Sequence, residues 1–133
     1  MKPVRTPGHP ALYAKDYLKT ALPALTAVQF TAGLAVPDQW TPHSKPHIGV
    51  FDDGGPTRWP VATRPVLRVT VWSVSETQSR DLAGLCMGVL LAHKIPGIAH
   101  VREPSSILAA RDPKNDGLMA SFTVRTTVRT LSV

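Results

Sequence analysis

Hydrophobic and polar positions along the chain follow two periods, 3.6 and 2, and the switches between them define the predicted elements. Over residues 10–22 the apolar side chains of Leu12, Tyr13, Tyr17, Leu18, Ala21 and Leu22 recur at helical spacing, and Lys15, Asp16 and Lys19 take the other side. Proline suits a first helical turn, where its missing N–H would be unpaired anyway, so Pro10 marks the start and Pro23 the end. Residues 65–74 alternate with period 2: Leu67, Val69 and Val71 to one face, Arg68, Thr70 and Trp72 to the other. One face is core and the other mixed, as in a sheet covered on one side.

A second helix is predicted over residues 75–93. Ser75 with Gln78, or Ser73 with Glu76, fits a capping box, and Lys94 with Pro96 and Gly97 supplies the stop. From Leu82 to Ala92 this helix carries no charge and is apolar all round, so it needs cover on more than one side. That cover is either the first helix of the same chain or another subunit. Gly84 and Gly88 share a stripe that would admit a second backbone, or would serve tight packing of helix on sheet.

The remaining elements are shorter. Residues 26–30 and 47–51 read as strands, separated by a loop over 32–46 that holds Gly33, Pro37, Pro42 and Pro46. Asp52-Asp53-Gly54-Gly55 is turn chemistry, with residues 58–61 returning as an edge segment. Residues 98–102 and 106–111 read as partner strands. After a turn over 112–117 comes a long strand over 118–131, with Phe122, Val124 and Val128 facing one way and Ser121, Thr123, Arg125, Thr127 and Arg129 the other. The expected fold is α+β: a mainly antiparallel sheet with two helices packed on one face, a two-layer sandwich.

Composition narrows the classes. At 133 residues, one domain spanning 1–133 is expected, with a short flexible N-terminus over about residues 1–8. An apolar fraction of 43 % against 18 % charged excludes disorder as the main state. The single cysteine, Cys86, excludes a disulfide framework and a cysteine-rich zinc module. The longest apolar run is too short for a bilayer span, and the N-terminus has no apolar signal-peptide core, so a soluble protein made in the cytoplasm is expected. The net charge of +6 is spread evenly, +3 in residues 1–66 and +3 in residues 67–133, with no basic block.

Candidate chemistry is sparse. His43 and His47 have a helical ligand spacing, but Pro42 and Pro46 deny them a helix, so they read as solvated loop histidines rather than zinc ligands. Asp52 and Asp53 read as turn formers. The turn at Asp112 places Lys114 where a calcium loop needs an oxygen, which rejects calcium. Cys86 reads as an inert space-filler in the helix. Phosphate-binding, dinucleotide-binding and nucleophile-elbow motifs are lacking, so no enzyme, no metal and no cofactor is expected. Arg125 and Arg129 form a cationic row with hydroxyls on one strand face, which is either a solvated face or one that meets another subunit or passing nucleic acid.

Taken together, the proline-started first helix, the Asp-Asp-Gly-Gly hairpin, the strand Pro65-Val66-Leu67-Arg68-Val69-Thr70-Val71-Trp72, the following Ser79-Arg80-Asp81-Leu82-Ala83, and Arg111-Asp112-Pro113 before a β-rich C-terminus resemble the tail terminator (tail completion) proteins of long-tailed bacteriophages. The resemblance covers roughly residues 10–131 and is one of pattern. It implies a small α+β fold that closes into a ring, a hexamer, at the head–tail junction of the virion after assembly in the host cytoplasm. Such a ring stops tail-tube polymerisation and joins the tail to the head-side neck. The implied partners are further copies of the chain, the tail tube protein and a neck or connector protein. DNA passes through the lumen without sequence-specific binding, and no membrane or cofactor is involved. On that reading Gly84, Leu85, Gly88 and Leu91 are candidates for the subunit interface, and Arg125, Arg129, Arg111 and Lys114 for the lumen or a partner-facing surface. Another head–tail connector or stopper is the alternative, and a small basic nucleic-acid-binding module a more distant one.

Overall fold

The computed structural model describes residues 2–133, and it has the α+β architecture that the periodicities predict. Helix α1 (Pro10–Ala21) starts at Pro10, and the His9 ring accepts the Leu12 N–H at 3.3 Å as its N-cap. Its buried stripe runs Ala11, Ala14, Leu18 and on to Leu22, while Tyr13 and Tyr17 flank it half-buried. Helix α2 (Glu76–Ala92) is capped by Ser75, whose hydroxyl accepts the Gln78 N–H at 3.1 Å, so the first of the two capping registers is the one used. The buried Ser79 hydroxyl donates to the Leu118 carbonyl at 2.7 Å and ties the start of α2 to the sheet. Past α2, Gly97 turns with φ 89°, against the ring of Tyr13, where a side chain would be strained and without room.

The strands are β1 (Arg5–Thr6), β2 (Thr31–Gly33), β3 (His47–Asp52), β4 (Thr57–Arg58), β5 (Ala62–Thr63), β6 (Val66–Ser73), β7 (His100–Arg102), β8 (Leu108–Arg111), β9 (Leu118–Arg129) and β10 (Leu131–Ser132). The main sheet runs β2-β3-β6-β9-β5-β4, and β7 and β8 also pair with β9. All pairings are antiparallel except β2 with β3. Ile48, Val50, Leu67, Val69, Val71, Ala120, Phe122, Val124 and Val128 join Ala14 and Leu18 of α1 and Leu82, Ala83, Cys86, Val89 and Leu90 of α2 in one buried core.

Four expectations are corrected. Residues 26–30 are not a strand: the pairing lies at β2, fixed by its partner, since Thr31 N–H donates to Pro46 O at 2.9 Å and the Thr31 hydroxyl meets His47 Nδ1 at 2.7 Å. The segments β7 and β8 do not pair with each other. Both use β9, through Arg102↔Arg125 and Arg111↔Leu118, because the longest strand offers an edge that two short ones can share. Of the N-terminus expected to be flexible, Met1 lies outside the described residues, and β1 pairs with β10 while the Arg5 guanidinium bonds Thr130.

The fourth correction concerns the sheet face that carries Thr70 and Trp72. It is not bare: Thr70, Trp72 and His47 are buried there, because the 34–46 loop folds back over its end. His47, expected in solvent, donates Nε2–H to the Ala35 carbonyl at 2.7 Å while Nδ1 accepts from Thr31. Phe51 and Trp72 meet edge to face at 6.1 Å, and Arg68 lies 4.4 Å over Phe51.

Burial lowers the pKa of His47 below its ordinary 6.5, and the bond to Ala35 only partly opposes this. The unfolded chain therefore binds this proton more readily than the folded one. The stabilisation is complete above pH 6.5 and is lost as pH falls from there through the lowered value of His47. Urea midpoints measured across this range should fall on the acid side in the native chain, and by less in His47→Gln. Parallel profiles would remove His47 as the source.

Candidate functional site

The subunit-interface and arginine-row candidates lie on two open surfaces, one on each layer. The first is the outward side of α2. Its inward residues are in the core, and beyond them Thr77, Arg80, Asp81, Gly84, Gly88 and Leu91 are exposed, with Leu85 and Met87 half-buried. A Cβ built on Gly84 or Gly88 meets nothing within 4 Å. Tight packing of helix on sheet is therefore not what these glycines serve, and α1 does not cover them. Beside the stripe lies a groove of about 390 Å³ lined by Thr26, Val28, Gln78, Asp81 and Leu85. The four residues Gly84, Leu85, Gly88 and Leu91 thus share one surface.

The second surface is the sheet face turned away from the helices. Alternation along β9 puts Ala120, Phe122, Val124 and Val128 inward, and Ser121, Thr123, Arg125, Thr127 and Arg129 outward. Arg125 and Arg129 are both exposed there, and Arg125 Nε pairs with Glu103 Oε2 at 2.9 Å. Arg68, on the same face, pairs with Asp53 at 3.2 Å.

No family model matches the chain, and no curated protein matches it.

Arg111 and Lys114 do not belong to the Arg125 surface. Arg111 stands opposite Leu118, on the helix side of the sheet, and pairs with Asp116 at 3.1 Å. Leu118 and Arg125 are seven residues apart on β9, about 23 Å of extended strand. Lys114 sits exposed in the turn between β8 and β9, where its N–H donates to Asp112 Oδ1 at 2.9 Å. The cationic candidates therefore do not form one group: Arg111 lies on the opposite sheet face from Arg125 and Arg129, and Lys114 lies in the turn.

Residues that the sequence pattern did not single out complete the far-face group. His100 and Arg102 of β7 stand opposite Thr127 and Arg125, and Arg64 reaches the same place from the link between β5 and β6. A basin of about 530 Å³ is lined by Arg64, His100, Arg102, Glu103 and Arg125. Glu103 adopts φ 52°, a left-handed conformation that costs a non-glycine residue about 1–2 kcal/mol. The alternation His100-Val101-Arg102 was the only signal in the sequence, and it needed the β7–β9 register to acquire meaning.

Other polar groups have structural roles. Asp52 Oδ1 accepts the Gly54 N–H at 2.8 Å, an Asx turn, with Gly54 at φ 78°. Asp112 Oδ2 accepts Trp72 Nε1–H at 3.0 Å. Burial pushes the Cys86 thiol up to about 12, which keeps it inert. Among the described residues no three His, Cys, Asp or Glu side chains come together in a way that could hold a metal ion, and no helix is long and apolar enough to cross a membrane.

Proposed function

We propose that the chain is a structural protein of a long-tailed phage virion, a tail terminator whose copies close into a ring at the head–tail junction. The observation that supports this most is the bare glycine stripe of α2. A helix that buries its inward side fully and presents glycine and leucine outward is built for another backbone to approach. The resemblance over roughly residues 10–131 supplies the kind of assembly. A heterologous contact repeated around an axis gives a ring when the rotation closes.

In this reading the chain carries no chemistry and no cofactor. Its partners are further copies of itself, the tail tube protein and a head-side neck protein, and DNA passes through the ring. The carboxylates on Arg68 and Arg125 offset two of the cations on that face, which lowers its hold on passing phosphates. The same ion pairs, with the even charge spread, count against a general nucleic-acid-binding module.

The test is light scattering after size exclusion, with negative-stain images, on the chain alone and mixed with purified tail tubes. Ring particles that cap tube ends are expected, and omission of the chain during phage assembly should give tails of uncontrolled length. A chain that leaves tube ends bare and forms no ring overturns the reading. Rings that bind only the portal-side adaptor make it a stopper instead.

A further inference from the structure

Arg102 and Arg125 are direct cross-strand partners, an arrangement in which like charges repel. Arg64 is a third arginine lining the same basin. One carboxylate answers all three, that of Glu103 on Arg125, and both members of that pair are more than half exposed. Among the described residues, Arg64 and Arg102 have no carboxylate within 4 Å. The basin therefore carries an excess of two positive charges in a concave site. Its one resident acid is held there by a left-handed backbone at φ 52°.

We propose that this basin is a docking site for a carboxylate-bearing segment of a partner protein, with Glu103 as its displaceable place-holder. The resident pair shows the recognition chemistry: a guanidinium of this basin already takes a side-chain carboxylate at 2.9 Å. Exposure makes that pair weak, so an incoming acid exchanges with it at little cost. Arg64 and Arg102 then supply the unanswered charge that holds the segment, and Thr127 lines the same basin. Duplex nucleic acid fits less well. Strong non-specific binding draws on about 6–10 phosphate contacts, whereas two free guanidiniums supply two. The inference stands whether or not the chain closes into a ring, and its test uses the chain alone.

Fluorescence anisotropy of a labelled hexaglutamate peptide, with a short DNA duplex and tripolyphosphate as competitors, provides the test. The peptide should bind with a clear salt dependence. Arg64→Ala and Arg102→Ala should each weaken binding about fivefold, the scale of one exposed ion pair. Lys19→Ala removes the same charge from α1 and should leave binding unchanged. Glu103→Gln should strengthen it, because the competitor acid is gone. Thermal melts of every variant should match the native chain, since all four side chains are exposed. The proposal is overturned by absence of peptide binding, by a Lys19→Ala loss equal to that of Arg102→Ala, or by a Glu103→Gln variant that binds no better. Binding of the duplex in preference to the peptide, lost in the same arginine variants, overturns it in favour of nucleic acid.

Discussion

Leucine at Gly84 or Gly88 is expected to make the isolated chain more stable and to abolish its assembly. Glycine in a helix interior costs up to about 1 kcal/mol relative to better helix formers, and leucine recovers most of that. Nothing in the folded chain opposes the gain, since a Cβ at either position has no neighbour within 4 Å. A leucine side chain there projects from the surface, where the proposed subunit contact needs a backbone to come close. Urea unfolding should show each variant at least as stable as the native chain, while size exclusion and tube capping show no ring. Gly84→Ala and Gly88→Ala, with one added carbon, should retain part of the assembly. Variants that cap tubes normally would show that this stripe faces solvent in the assembly as well.

That opposition between folding and assembly was not visible in the sequence, where the uncharged run from Leu82 to Ala92 had to be read as uniformly needing cover. The structure divides the run by angle: Leu82, Ala83, Cys86, Val89 and Leu90 go inward, and Gly84, Gly88 and Leu91 stay out. Local signals were legible wherever the deciding interaction is local. Pro10, the Ser75 cap, the Asp52–Gly54 turn and the alternation in β6 and β9 all have their causes within a few residues. What was illegible depends on distant partners. The short strand β2 exists because His47 and Pro46 receive it, and β7 and β8 because β9 has an edge to share.

The charged candidates repeat this lesson. Arg111, Lys114, Arg125 and Arg129 look alike in the sequence, yet the register Arg111↔Leu118 separates Arg111 from Arg125 and Arg129 by most of a long strand and by the thickness of the sheet, and Lys114 sits in the turn beyond it. Conversely, Arg64, Arg102 and Arg125 are far apart in sequence and line one basin. For the residues on strands the register decides, and a one-residue slip of β9 would move Arg125 and Arg129 to the other face.

The hub of that register is β9, so the largest loss of stability is expected from Phe122→Ala. Phe122 is the largest of the fully buried side chains, at 1 % exposure, and stands opposite Val69 in the middle of the strand. Its removal forfeits transfer energy and leaves a cavity that Val69, Val124 and the helices cannot close, a cost of about 3–5 kcal/mol. Against a total stability of about 5–15 kcal/mol this is a large share, and it lowers the melting temperature by roughly 10–25 °C. Leu108→Ala is the matching control. Leu108 also lies on a strand paired with β9, but it is 68 % exposed at the open edge, and its truncation should change stability by no more than about 0.5 kcal/mol. Equilibrium urea unfolding with an unchanged m-value measures both. Equal losses at Phe122 and Leu108 would mean that the core is not on the helix side of β9, and the outward direction of Arg125 and Arg129 would be lost with it, because the same alternation sets both.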